Sequence, residues 1–188
     1  MATGDIHDSL REAEVIAALL AGEGVECLVI GAVALAAHRY IRFTQDVDLK
    51  VNADLKQMHH LVEVLHSRGY DAVFYEPDGE DPLGGVIDIT GAFGVVQIVS
   101  FENGFPAAIR DGLAGEDIRT LPNGGLRVVP IPQLVALKLY AGGWKSLADV
   151  VELLRRNSET DLEKLGETCR KYRLHGWEKV MEELGRKP

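Results

Sequence analysis

Cysteine, long apolar runs and basic charge are all scarce in this 188-residue chain. Its two cysteines, Cys27 and Cys169, stand far apart and match no metal-ligand spacing. A disulfide framework and a zinc motif are therefore excluded, and a reduced, cytoplasmic setting is expected. No apolar run approaches the ~18–20 residues that a membrane-spanning helix needs, so no membrane association is expected. The amino end, Met-Ala-Thr-Gly-Asp-Ile-His-Asp, has neither the basic start nor the apolar block of a signal peptide. Lysine and arginine number 20 against 29 aspartates and glutamates, a formal charge of −9. That balance argues against a protein that coats nucleic acid electrostatically. Internal repeats and low-complexity tracts are absent as well.

What is present is ordinary core material, with 46% hydrophobic and 26% charged residues, enough for a globular domain or a core with a small appended module. The charge is uneven. Residues 138–188 carry 11 Lys/Arg against 9 Asp/Glu, leaving 9 against 20 for residues 1–137. An acidic core beside a near-neutral tail fits a metal-binding centre better than a phosphate-wrapping surface.

Periodicity gives a mixed reading. Asp8 or Ser9 is the expected cap of a first helix reaching about Gly22. Glu26 to Ile30 reads as a buried strand, Gly31 as a turn, and the alanine-rich run after it as a helix. From Thr44 to Val51 the chain alternates, with Val47, Leu49 and Val51 on one face and Asp46, Asp48 and Lys50 on the other. A helix to about Ser67, a strand over 71–75 and a loop over 76–83 follow. Two strands, 86–90 and 95–100, are joined by Gly91-Ala92-Phe93-Gly94. A loop at Asn103-Gly104, a short helix over 106–113 and a second hairpin-like turn at 122–125 precede four helices, at about 133–141, 145–156, 160–173 and 176–184. The expected fold is therefore α/β (α+β), a mixed sheet flanked by helices over residues 1–130, followed by a helical segment, 131–188, packed on it.

The chemistry centres on Asp46 and Asp48. Their Cα atoms lie about 6.6 Å apart along one strand face at ~3.3 Å per residue, and two unpaired anions there would repel each other and lose solvation. A hard cation resolves both problems. Asp88 lies within another apolar strand, and if that strand neighbours the first, three carboxylates meet in a set suited to metal-assisted phosphoryl or nucleotidyl transfer. The helix that starts at Gly31-Ala32 offers N–H groups and a positive dipole end to a phosphate. Simpler readings stand beside these. The acidic strand can be a solvated edge, Arg42 can pair with Asp46 or Asp48, and Lys145 with Asp149 at i,i+4 spacing. His38 is a lesser candidate for a base, and Trp144 and Trp177 read as helix-packing residues.

The run from Gly31-Ala32 to Arg42-Phe43-Thr44-Gln45-Asp46-Val47-Asp48-Leu49 resembles the signature of the DNA polymerase β-type nucleotidyltransferase superfamily. The Arg-x-Thr-x-Asp-x-Asp-Leu form is similar to its bacterial abortive-infection and toxin–antitoxin branch. So are Gly85-Val86-Ile87-Asp88-Ile89, the helix Leu134-Val135-Ala136-Leu137-Lys138, and Asp149 in Leu147-Ala148-Asp149-Val150. The resemblance spans roughly residues 28–155. It implies that Asp46, Asp48 and Asp88 bind Mg²⁺ or Mn²⁺, that Gly31 and the Ala32 backbone contact phosphates, and that Lys138 reaches the triphosphate of an NTP. It also brings Arg42, Thr44 and Asp149 near the site. The implied activity is transfer of a nucleoside monophosphate from an NTP to an acceptor hydroxyl, on tRNA, a protein or a small molecule. Ala32 replaces the usual second Gly or Ser, and Gln133 stands where relatives often carry an acid. Those departures keep open a nucleotide-binding component that acts through protein contacts with a cognate toxin or antitoxin.

Overall fold

The computed structural model describes residues 5–78, 84–102, 105–114, 118–121 and 124–186. Residues 79–83 of the expected loop, the Asn103-Gly104 loop and residues 122–123 of the second turn lie outside the described residues. In chain order, α1 (Ile6–Gly22) leads to β1 (Cys27–Val29), and α2 (Gly31–Ala37) to β2 (Asp46–Val51). After α3 (Leu55–Ser67) come β3 (Asp71–Tyr75) and the hairpin of β4 (Val86–Gly91) and β5 (Gly94–Ser100). Next are α4 (Pro106–Leu113), β6 (Arg119–Thr120) and β7 (Arg127–Val128). The chain closes with α5 (Ile131–Ala141), α6 (Gly143–Arg156), α7 (Leu162–Lys171) and α8 (Trp177–Glu183). The strands form one mixed sheet in the order β3-β4-β5-β2-β1-β7-β6.

Alternation along β2 fixes the centre of this sheet. Val47, Leu49 and Val51 are fully buried, and each such burial is worth about 1.5–3 kcal/mol over exposure. A slip of one residue would put Asp46, Asp48 and Lys50 in their place, so the register is strongly specified. The apolar side of β2 packs with Ala13, Ile16 and Leu20 of α1 and Met58, Leu61 and Leu65 of α3. On the opposite side, a second cluster joins Leu28, Ala34 and Leu35 to Leu134, Val135, Val150 and Leu154 of the helices that follow. The C-terminal helices close over the sheet face that carries the acidic residues.

Several expectations shift. Asp5, not Asp8 or Ser9, caps α1, its carboxylate accepting the His7 N–H at 3.2 Å. Ser9 is buried inside the helix, and its hydroxyl donates to the Phe93 carbonyl at 2.5 Å, tying α1 to the β4–β5 hairpin. Trp177 is buried among the C-terminal helices as expected, but Trp144 is 83% exposed. The main difference concerns strand order. β4 does not neighbour β2, because β5 runs between them, parallel to β2 and antiparallel to β4. The condition for three adjacent carboxylates is therefore not met.

Candidate active site

The site is assembled where β1 ends. The Ile30 N–H donates to the Asp48 carbonyl at 3.0 Å, extending the β1–β2 ladder by one bond. Gly31 then takes φ +65°, and a Cβ there would lie 1.9 Å from Asp48 Oδ2. Only glycine both turns the chain and leaves room for the carboxylate. The first N–H groups of α2 have no partners within the helix, and its opening residues, Gly31 and Ala32, line a cavity of about 400 Å³.

Asp46 and Asp48 line the same cavity, as do Arg42, Thr44, Lys50 and, from α5, Lys138. Burial pushes the Asp48 carboxyl above the ordinary aspartate range, and the Asp46 charge pushes it further; Lys50, Lys138 and Arg42 oppose both. The Thr44 hydroxyl donates to the Asp46 carboxylate and holds it in place. Asp149 on α6 is 3% exposed and joins two cations, Lys138 Nζ at 2.6 Å and Arg42 Nη1 at 3.0 Å. It therefore pairs with neither Lys145 nor solvent, and Arg42 turns to Asp149 instead of to Asp46 or Asp48. A buried carboxylate with two cationic partners is well compensated, and here it fixes both cations at the cavity wall.

Asp88 is placed differently from the other predicted residues. It is not among the residues lining the cavity, and its carboxylate accepts Gln97 Nε2 at 2.7 Å. His38 is also elsewhere. Its buried ring donates from Nε2 to the Val129 carbonyl at 2.8 Å, and burial lowers its pKa. Nδ1 is buried without a partner, which fits a neutral ring that holds the end of α2 against β7. Lys50 alternates onto the acidic face of β2 with Asp46 and Asp48. Its side chain is buried at the cavity, with Nζ 3.7 Å from the centre of the Phe101 ring. Tyr140 lines the same wall, stacked on Phe105 with ring centres 4.7 Å apart. The alternation that exposed Asp46 and Asp48 was the signal for Lys50; Phe101 and Tyr140 carried none. Ile41 and Phe43, which flank the cavity-lining Arg42, are 83% and 84% exposed.

No family model matches the chain, and no curated protein matches it. Solved structures do. The solution structure of the antibiotic-resistance factor ANT(2'')-Ia superposes with a TM-score of 0.54 at 14% identity, over 88% of this chain and 92% of that one. The crystal structure of ANT(2'')-Ia in complex with adenylyl-2''-tobramycin gives a TM-score of 0.56 at 12% identity, over 88% and 96%. A tRNA-processing enzyme in its apo form I matches with a TM-score of 0.40 at 13% identity, over 89% of this chain and 57% of that one. That last likeness is too loose to argue from.

The chain shares its fold with ANT(2'')-Ia. In the cavity, the fit of a divalent ion rests on two oxygen-donor side chains. Among the described residues, no group of three or more His, Cys, Asp or Glu is gathered to hold a metal. Asp46 and Asp48 nevertheless suit a hard cation. Both face the cavity, both are partly buried, and their mutual repulsion is the cost that a cation removes.

Proposed function

We propose that this protein transfers a nucleoside monophosphate from an NTP to an acceptor hydroxyl, with the nucleotide and Mg²⁺ or Mn²⁺ held in the cavity at Asp46 and Asp48. The observation that carries this reading is the close approach of Asp48 to Gly31, which sets a partly buried carboxylate against the opening of a helix in one cavity. The fold shared with ANT(2'')-Ia, which was solved with an adenylylated aminoglycoside, supports it.

In this reading Gly31 and Ala32 receive phosphate oxygens on backbone N–H groups. Lys138 and Arg42, steadied by Asp149, face the triphosphate's negative charge. The bound ion would neutralise charge on the phosphates and leaving group. The acceptor oxygen forms a bond to the α-phosphorus as the bond to the pyrophosphate oxygen breaks. Pyrophosphate departs, and the hydroxyl proton passes to solvent or to a base. The exposed Ile41 and Phe43 offer an apolar surface beside the cavity to the acceptor, whether tRNA, a protein or a small molecule. A protein of the cytoplasm has the Mg²⁺ and NTP that this reaction uses.

Calorimetric titration with the Mg²⁺ complexes of the four NTPs tests the reading. The wild type is expected to bind at least one, and Asp48→Asn to weaken it tenfold or more, about 1.4 kcal/mol. Equal affinity in the two proteins, or none in either, would contradict it.

A second reading, a nucleotide-binding toxin–antitoxin component that acts through protein contacts, is favoured by Ala32 and by the neutral amide of Gln97 facing Asp48 across the β2–β5 pair. It predicts no transfer of label from α-labelled NTPs. Label transfer that disappears in Asp46→Ala would reject it.

A further inference from the structure

The register of three strands identifies a residue that the sequence left unremarked. Asp48 on β2 pairs with Gln97 on β5, and Gln97 pairs in turn with Asp88 on β4. Directly paired residues point to the same face of a sheet, so Asp48, Gln97 and Asp88 form one row across it. Neighbouring strands are about 4.7–4.9 Å apart, which leaves Asp48 and Asp88 separated by roughly 9.5 Å with a side chain between them. A divalent ion sits only about 2.0–2.6 Å from each oxygen it binds.

The rest of β5 makes Gln97 stand out. The residues it presents to this face are Val95, Gln97 and Val99, paired with Asp46, Asp48 and Lys50 in that order. Gln97 is the polar one of the three, and it lies between two acids. Its Nε2 donates to Asp88 at 2.7 Å, holding that carboxylate on the far side of the row. For Asp88 to swing toward β2, it would have to break this bond and pass the side chain that makes it.

We propose that Gln97 occupies the place of a third carboxylate beside Asp48, so that Asp46 and Asp48 alone supply the acidic ligands of the metal–nucleotide complex and Asp88 supplies none. The inference rests on the reading of the cavity as a nucleotide site. Two consequences follow from the chemistry of an amide. Being neutral, Gln97 adds no third anion to a pair that already repels itself, so the protein does not depend on a cation to fold. Being non-basic, it takes no proton from an acceptor hydroxyl. General-base assistance is worth typically 10²–10⁴-fold, and Gln97 does not supply it.

Titration with Mn²⁺ alone, and with Mn²⁺ plus a non-hydrolysable ATP analogue, on the full chain provides the test. Wild type, Asp88→Asn, Gln97→Asp and Gln97→Glu are compared, with Tm measured in EDTA and in Mn²⁺. Asp88→Asn is expected to bind Mn²⁺ as the wild type does, within twofold. Gln97→Asp or Gln97→Glu should bind it roughly tenfold more tightly, because ligand charge sets affinity for a hard cation. The same two variants should melt lower in EDTA and recover in Mn²⁺, which separates a new metal ligand from a folding defect. Weaker Mn²⁺ binding in Asp88→Asn would overturn the proposal. So would Gln97 variants that gain neither affinity nor Mn²⁺-dependent stability. If the wild type binds no Mn²⁺–nucleotide but Gln97→Asp does, the function proposed above falls while the role of Gln97 stands.

Discussion

At Gly31 two requirements meet in one residue: a φ of +65° and an empty Cβ position that the Asp48 carboxylate fills. Alanine there pays about 1–2 kcal/mol for the left-handed backbone, and it must also displace the carboxylate. Gly31→Ala is therefore expected to lower Tm by several degrees, at about 2–4 °C per kcal/mol for a chain of this size. It should also abolish Mg²⁺–NTP binding, as calorimetry would show. A variant that keeps full affinity would mean that Asp48 does not need its present position. The neighbouring Gly22 and Gly24 have nothing within 4 Å of an added Cβ, so Gly22→Ala serves as a control that leaves binding unchanged.

Among the elements, the junction of α5 and α6 with the segment before β2 organises the cations. Asp149 on α6 reaches back to Arg42 and across to Lys138, and its side chain is almost wholly enclosed. Removing one member of such a buried set typically costs about 3–5 kcal/mol, because the remaining charges lose their compensation. Asp149→Asn is expected to lose stability on that scale in chemical denaturation and to bind NTP more weakly, since Lys138 and Arg42 are no longer held. Lys145→Ala, at the exposed position that spacing alone would pair with Asp149, is expected to change neither by more than about 0.5 kcal/mol. The reverse ranking would show that the i,i+4 pair, not the long-range set, matters. Local signals made these helices readable. The Asp54–Gln57 capping box opens α3, and Gly142 and Gly143, at φ +70° and +77°, separate α5 from α6. The partners of Asp149 were not readable, because Arg42 lies 107 residues away and no local pattern encodes that contact.

Across the whole molecule, the features set by neighbours in sequence were legible and those set by strand order were not. Alternation over Thr44–Val51 placed Asp46 and Asp48 on one face and Val47 and Leu49 in the core, as found. The hairpin of β4 and β5 was legible from its glycines. That this hairpin joins β2 through β5 rather than β4 depends on a parallel pairing between distant segments, and either strand is apolar enough to take the inner place. Gln97 is therefore invisible in the sequence and obvious in the sheet. The central claim is that a metal–nucleotide complex sits in this cavity on Asp46 and Asp48. Anomalous diffraction from crystals grown with Mn²⁺ and the non-hydrolysable ATP analogue tests it most directly. The account predicts an anomalous peak bound by Asp46 and Asp48 beside Gly31, with Gln97 between it and Asp88. Nucleotide density with no peak at Asp46 and Asp48, or a peak bound by Asp88, would contradict it.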